Sequence, residues 1–115
     1  PIPWLGLELS GVVVEVGDDV SHIAVGDRVF GMGEATFASS CIADARYLTT
    51  IPQALSFEQA ATIPLVYLTA WYALCDLANL KRGESILIHA AAGGVGMAAV
   101  QLAQHLGEKE HRSHL

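Results

Sequence analysis

The stretch from Glu84 to Leu106 constrains this chain more than any other. Glu84-Ser85-Ile86-Leu87-Ile88-His89 reads as a short strand with a continuously apolar centre, the pattern of a strand covered on both faces. It runs directly into Ala90-Ala91-Ala92-Gly93-Gly94-Val95-Gly96, after which Val95, Ala99, Leu102 and Leu106 fall at helical spacing and predict a helix over 95–106. Strand, glycine-rich turn and helix in that order form the arrangement that binds a dinucleotide pyrophosphate. Unpaired N–H groups and the helix dipole favour negative phosphate, and glycine lets the backbone approach it. In the G-x-G-x-x-G frame, Ala91 stands first while Gly93 and Gly96 keep the second and third places. The acid that would hold a ribose hydroxyl of NAD, or the base that would select NADP, belongs about 20 residues further on. The residues present therefore do not set that choice.

Upstream the text reads differently. From Leu9 to about Thr50 it suggests short strands broken by turns. These are Val12-Val13-Val14-Glu15-Val16 up to Gly17-Asp18-Asp19, Arg28-Val29-Phe30 after Gly26-Asp27, then Phe37 to Ala43 and Tyr47 to Ile51. Ser56-Phe57-Glu58-Gln59 has the spacing of a capping box, and Pro64 should end that short helix near Thr62. A longer helix fits Leu68 to Leu80, with Leu68, Tyr72, Cys75 and Asn79 on one stripe and Trp71, Leu74 and Ala78 on the next. So wide an apolar arc predicts burial on most sides, with Gly83 as the C-cap. The polar run after Gly107 is expected to be frayed and solvated.

Charge excludes whole classes of partner. The 115 residues include 12 acids and 6 bases, a formal charge of −6. Neutralising nucleic-acid phosphate needs clustered Lys and Arg, so no nucleic-acid partner is expected. Residues 1–80 carry nine acids and two bases, whereas 81–115 carry three and four, which directs any polyanionic ligand to the C-terminal third. The longest uncharged apolar-rich run, Gln59 to Cys75, is shorter than the ~20 residues of a membrane span. No membrane contact is expected. Pro1-Ile2-Pro3-Trp4 lacks a basic, cleavable leader pattern, so the expected location is cytoplasmic.

Tyr72-Ala73-Leu74-Cys75-Asp76-Leu77 and the run from Gly83 to Ala103 resemble the enoyl reductase domain of modular polyketide synthases. That domain belongs to the medium-chain dehydrogenase/reductase superfamily, with quinone oxidoreductases as close relatives. Leu5-Gly6-Leu7-Glu8-Leu9-Ser10-Gly11, Val25-Gly26-Asp27-Arg28-Val29-Phe30-Gly31 and Leu68-Thr69-Ala70-Trp71-Tyr72 resemble further superfamily signatures. The resemblance implies an α/β plus β fold: a partial GroES-like β-barrel over 1–66, the first helix-strand-helix of a Rossmann nucleotide-binding domain over 67–107, and a polar, disordered tail over 108–115. It implies hydride delivery from NADPH to the β-carbon of an α,β-unsaturated thioester on an acyl carrier protein, with the remaining domains of a synthase as partners. Thr69 would lie near the nicotinamide carboxamide, and Ala92, Gly93, Gly94, Val95 and Gly96 would line the pyrophosphate. No residue matches the family's candidate proton donors, a tyrosine ahead of the Leu-Gly-x-Glu signature and a lysine and aspartate from later strands. Where the family continues into an apolar second strand, Glu108–Leu115 departs, which reads as a frameshift, a premature stop or a cut. With its one sheet strand unpaired at both edges, the isolated chain is expected to be inactive.

Zinc-dependent members of the superfamily place histidine where Leu7 stands and cysteine where Leu65 stands. Leucine binds no zinc, so zinc-independent chemistry is expected. Cys41 and Cys75 read as reduced, small apolar residues rather than a disulfide. His89 reads as a packed or backbone-bonded side chain rather than a phosphate ligand, and His105, His111 and His114 read as solvated rather than as a metal cluster. Tyr67 and Tyr72 read as packing aromatics rather than proton donors. Two other readings stand beside the enoyl reductase: part of a quinone or alkenal reductase, and a non-catalytic fragment that binds nucleotide weakly at most.

Overall fold

The computed structural model describes residues 4–107 and 110–114. The chain divides into two compact units, Pro1–Leu65 and Val66–Leu115. In the first, β1 (Glu8–Val12), β2 (Arg28–Met32) and β3 (Leu48–Thr50) form an antiparallel sheet in that order. Gly11 lies opposite Val29, and Phe30 opposite Thr49. Gly31 is squeezed on the β3 side, where a Cβ would stand 1.8 Å from the Tyr47 carbonyl oxygen, so only glycine fits.

Helix α1 (Phe57–Ala61) starts at the expected capping box. Ser56 Oγ accepts the Gln59 N–H at 3.1 Å, and Gln59 Oε1 accepts the Ser56 N–H at 2.9 Å. The helix stops at Thr62, as the approaching proline requires. It packs against β1 and β2, where Ser10 Oγ donates to the Phe57 carbonyl at 2.6 Å and the Arg28 guanidinium lies 4.7 Å from the centre of the Phe57 ring. Ile23, Val29, Ile51 and Ala60 are the buried apolar residues of this unit.

Two strand expectations are corrected here. The valine run is strand only as far as Val12, although Val13 keeps pairing with the β2 side. Its N–H donates to the Asp27 carbonyl at 2.9 Å and its carbonyl accepts the Gly26 N–H at 2.8 Å. Phe37 to Ala43 is irregular, with Phe37 and Ile42 exposed. A β-propensity is a fit to a neighbouring strand rather than a property of the backbone alone, and among the described residues this segment joins no sheet, although the Phe37 N–H donates to the Leu5 carbonyl at 3.1 Å.

Helix α2 (Pro64–Trp71) carries the chain into the second unit. It begins four residues before Leu68, with Pro64 at the first helical position, where a missing N–H leaves nothing unpaired. It then widens into a π-helical stretch, Tyr72–Leu77, in which the Ala78 N–H donates to the Ala73 carbonyl at 2.9 Å. The chain leaves the helix through Asn79 at φ 49°, not through Gly83, which lies in the turn before the next strand. Burial on most sides is not observed: Leu68, Trp71, Tyr72 and Leu77 are roughly half exposed or more. Helical-stripe counting assumes 3.6 residues per turn, and the π turn breaks that count after Trp71.

Strand β4 (Ser85–His89), helix α3 (Gly94–His105) and strand β5 (Glu110–His114) complete the unit. β4 and β5 are parallel, with Ser85 opposite Glu110 and His89 opposite His114. This corrects the expectations of a frayed tail and of a sheet strand unpaired on both sides. A helix after β4 supplies the crossover that a parallel pair needs, and backbone pairing tolerates polar side chains. Ala70, Ile88, Ala98 and Ala99 form the core, with Val66, Tyr67, Leu74 and Ile86 packed on it. Leu87, on the opposite face of β4 from Ile88, is half exposed, so the strand is covered on one face rather than two. Among the described residues, no helix is long and apolar enough to cross a membrane.

Candidate functional site

The site is built where β4 ends. Ala90 adopts φ 52°, a left-handed conformation uncommon for a residue with a Cβ. The turn brings the Ala90 carbonyl to the Gly93 N–H, which donates to it at 2.9 Å. Gly93, at φ −80° and ψ 171°, is the N-cap of α3, and its carbonyl accepts the Met97 N–H at 2.8 Å. It offers no side chain to the helix, and the first turn carries no acid. The opening N–H groups of α3 therefore have no intrahelical partner, and the positive end of the helix dipole is bare. Ala92, Gly93, Gly94 and Val95 are exposed around it.

Gly96 is different. It is buried, and a Cβ there would stand 2.2 Å from the Ala90 carbonyl oxygen and 2.7 Å from the Ala91 Cα. Helix and loop thus touch backbone to backbone, the close packing assigned to the third glycine of the motif. The left-handed residue is Ala90, one place before the motif's first position, so Ala91 needs no positive φ and the missing glycine there is no defect. Ala90 was not singled out from the sequence, because an alanine in a left-handed turn leaves no compositional mark.

Thr69 is exposed on α2, one turn beyond Val66, whose Cγ1 lies 3.2 Å from where a Gly94 Cβ would be. Tyr67 is half-buried against the core and its hydroxyl donates to Gln101 Oε1, joining α2 to α3. Tyr72 is exposed, so it does not pack as expected. His89 is exposed, which sets aside the packed alternative of its expected role, and His105 is exposed in the last turn of α3. The side chains of His111 and His114 lie outside the described residues.

Cys41 is free and exposed on the irregular segment, contrary to a small apolar role, while Cys75 is free and half-buried in the π-helical stretch. Leu7 and Leu65 are both substantially exposed, and Glu8 Oε2 accepts the Leu65 N–H at 2.9 Å. Among the described residues, no three His, Cys, Asp or Glu side chains gather as a metal site. Lys81 and Arg82 precede β4, and Arg82 Nε lies 3.0 Å from a Cβ placed on Gly107, which follows the C-terminal end of α3. The loop itself offers an anion backbone amides rather than a cationic side chain.

Residues 1–53 match the Alcohol dehydrogenase GroES-like domain. The chain is 54% identical over 107 residues to the highly reducing polyketide synthase ZEA2 of Gibberella zeae, covering 93% of this chain and 4% of that protein. The crystal structure of CurK enoyl reductase superimposes with a TM-score of 0.88 at 43% identity, over 96% of this chain and 33% of that one. The Escherichia coli quinone oxidoreductase complexed with NADPH gives 0.79 at 42% identity, over 95% and 34%. In sequence and fold the chain is similar to part of the medium-chain dehydrogenase/reductase enzymes. The likeness is to polyketide synthases in sequence and to the CurK enoyl reductase in fold. The chain spans about a third of the solved structures and a few per cent of the synthase.

Proposed function

We propose that this chain is the segment of an NADPH-dependent, zinc-independent enoyl reductase that joins a GroES-like barrel to the opening helix-strand-helix of a Rossmann domain. In this reading the reductase acts on an α,β-unsaturated acyl thioester carried by an acyl carrier protein, within a polyketide synthase. The observation that carries the reading is the uncapped N-terminus of α3 beside a loop in which Gly96 leaves no room for a side chain. The residues fit a dinucleotide. Gly93 and Gly94 leave the backbone bare, Gly94 and Val95 are exposed, and the helix dipole favours phosphate. Ala92, Gly93, Gly94, Val95 and Gly96 would hold the pyrophosphate, and Thr69 would orient the nicotinamide end. NADPH, when bound, supplies the hydride. The residues of this chain bind and orient, and none of them is assigned a proton transfer.

The likeness to a quinone oxidoreductase in complex with NADPH supports a second reading, part of a soluble quinone reductase with the same cofactor site. The synthase relatives favour the first.

The test is NADPH titration of the chain followed by amide NMR. Saturable shifts concentrated at Ala92–Met97 are expected, with no oxidation of NADPH when a crotonyl thioester is added. Absence of binding up to millimolar NADPH, or shifts centred elsewhere, overturns the site assignment. Thermal unfolding on the same sample separates a folded binder from a fragment that does not fold.

A further inference from the structure

We propose, resting on the reading of this chain as a dinucleotide binder, that Glu8 is a positioning residue for the nicotinamide half of the cofactor. Its carboxylate fixes the first turn of α2, and through that turn the place of Thr69. Helix α2 opens on Pro64, which has no N–H, after Ile63, whose side chain accepts no hydrogen bond. Such a start lacks the Ser, Thr, Asp or Asn that ordinarily serves the first free amides of a helix. The acceptor comes instead from strand β1: Glu8 Oε2 takes the Leu65 N–H at 2.9 Å, across 57 positions of sequence. A carboxylate at that point satisfies an unpaired amide and meets the positive end of the helix dipole.

Glu8 does not act in isolation. It is half-buried and lies on the same face of β1 as Ser10, whose Oγ donates to the Phe57 carbonyl at 2.6 Å. Two side chains of one strand therefore hold the chain at the start of α1 and again at the start of α2. Both bonds lie inside the first unit.

Leu65 and Thr69 stand four residues apart on α2, one above the other on one side of the helix. The two ends of the proposed site are thus held by different means. The pyrophosphate end is closed by its own contacts, the Gly93 N–H on the Ala90 carbonyl and Gly96 packed against the Ala90 and Ala91 backbone. Thr69 stands outside that loop, and its place follows the run of α2. Loosening the first turn of α2 should disturb the nicotinamide end and spare the phosphates.

The experiment compares two ligands on the 115-residue chain and its variants. One is NADPH; the other is 2′-phospho-ADP-ribose, which keeps the phosphates and lacks the nicotinamide ring. Glu8→Ala should weaken NADPH at least about threefold, within the range that one net hydrogen bond supplies, and leave 2′-phospho-ADP-ribose binding unchanged. Glu8→Gln retains an acceptor oxygen and should recover most of the NADPH affinity. Amide exchange reads the same bond without a ligand: Leu65 should exchange faster in Glu8→Ala and regain protection in Glu8→Gln. Where Glu8→Ala does not melt cooperatively, Glu8→Asp, whose carboxylate stops one methylene short of the amide, carries the comparison. Equal weakening of both ligands, or unaltered Leu65 exchange, overturns the positioning role alone. A wild-type chain that binds neither ligand overturns the dinucleotide reading and this role with it.

Discussion

Replacing Gly93 with aspartate would separate a phosphate-binding loop from a merely well-made turn, because the two readings predict opposite effects. Gly93 has extended φ and ψ at the N-cap of α3, a backbone that aspartate adopts readily, and its own side makes no cap. An aspartate there gains a few tenths of a kcal/mol over glycine as a cap, and a negative charge at the helix start adds about 0.3–1 kcal/mol. Opposing this, the new Cβ would stand 3.3 Å from the Ala90 carbonyl oxygen, a contact relieved by a shift of a few tenths of an ångström. Stability should therefore hold or rise slightly. Dinucleotide binding should fall, because a carboxylate about 4 Å from one phosphate charge opposes it by about 1 kcal/mol in water and about 4 kcal/mol at an effective dielectric constant near 20. That range corresponds to binding weaker by about fivefold to several hundredfold. Denaturant melts and NADPH titration of the two proteins decide the matter. Unchanged NADPH affinity in a folded Gly93→Asp protein would refute the reasoning.

Gly96→Ala should cost about 2–3 kcal/mol, since its Cβ meets only backbone atoms that cannot swing aside; a shift in denaturation midpoint worth less than 0.5 kcal/mol, on the order of a neutral surface change, would contradict that packing. Ser56→Ala removes one arm of the capping box and should cost about 1 kcal/mol, with faster amide exchange in α1; unaltered exchange at Gln59 would tell against the cap. Asp44, hydrogen-bonded by the Arg46 side chain and backbone, is held well below the usual carboxylate range, at about 2. Any stability it confers is present above about pH 4 and is lost as pH falls toward 2, because the folded pKa lies below the unfolded one. An Arg46→Gln variant in which the Asp44 carboxyl carbon still titrates near 2 by NMR would contradict the pairing.

What could be read beforehand was whatever depends on neighbours close in sequence. The capping box, the strand at Ile86–Ile88 and the helix after the glycine loop all rest on contacts a few residues apart, and each appears within one residue of its expected place. Phe37–Ala43 failed because a strand needs a partner that local propensity does not supply. The exposed faces of α2 failed for another reason. Leu68 and Trp71 are apolar enough to be buried, yet what covers a helix depends on the surrounding elements, and helical counting ends at Tyr72. In the site, Gly93 and Gly96 were legible by spacing, whereas Ala90 was not, since its role rests on one dihedral angle. β5 was hidden by its polarity: a backbone ladder leaves no apolar signature in Glu110–His114.

Ala90 also bears on how a ligand would be met. A glycine at φ 52° would visit many other conformations, whereas alanine holds a narrow well once the turn has closed on Gly93. The amides of Gly94 and Val95 are thus arranged before any phosphate arrives, and the entropic cost of arranging them falls on folding rather than on association. On the proposed function the loop would act as a preset socket, its occupancy governed by charge and concentration more than by rearrangement of the chain.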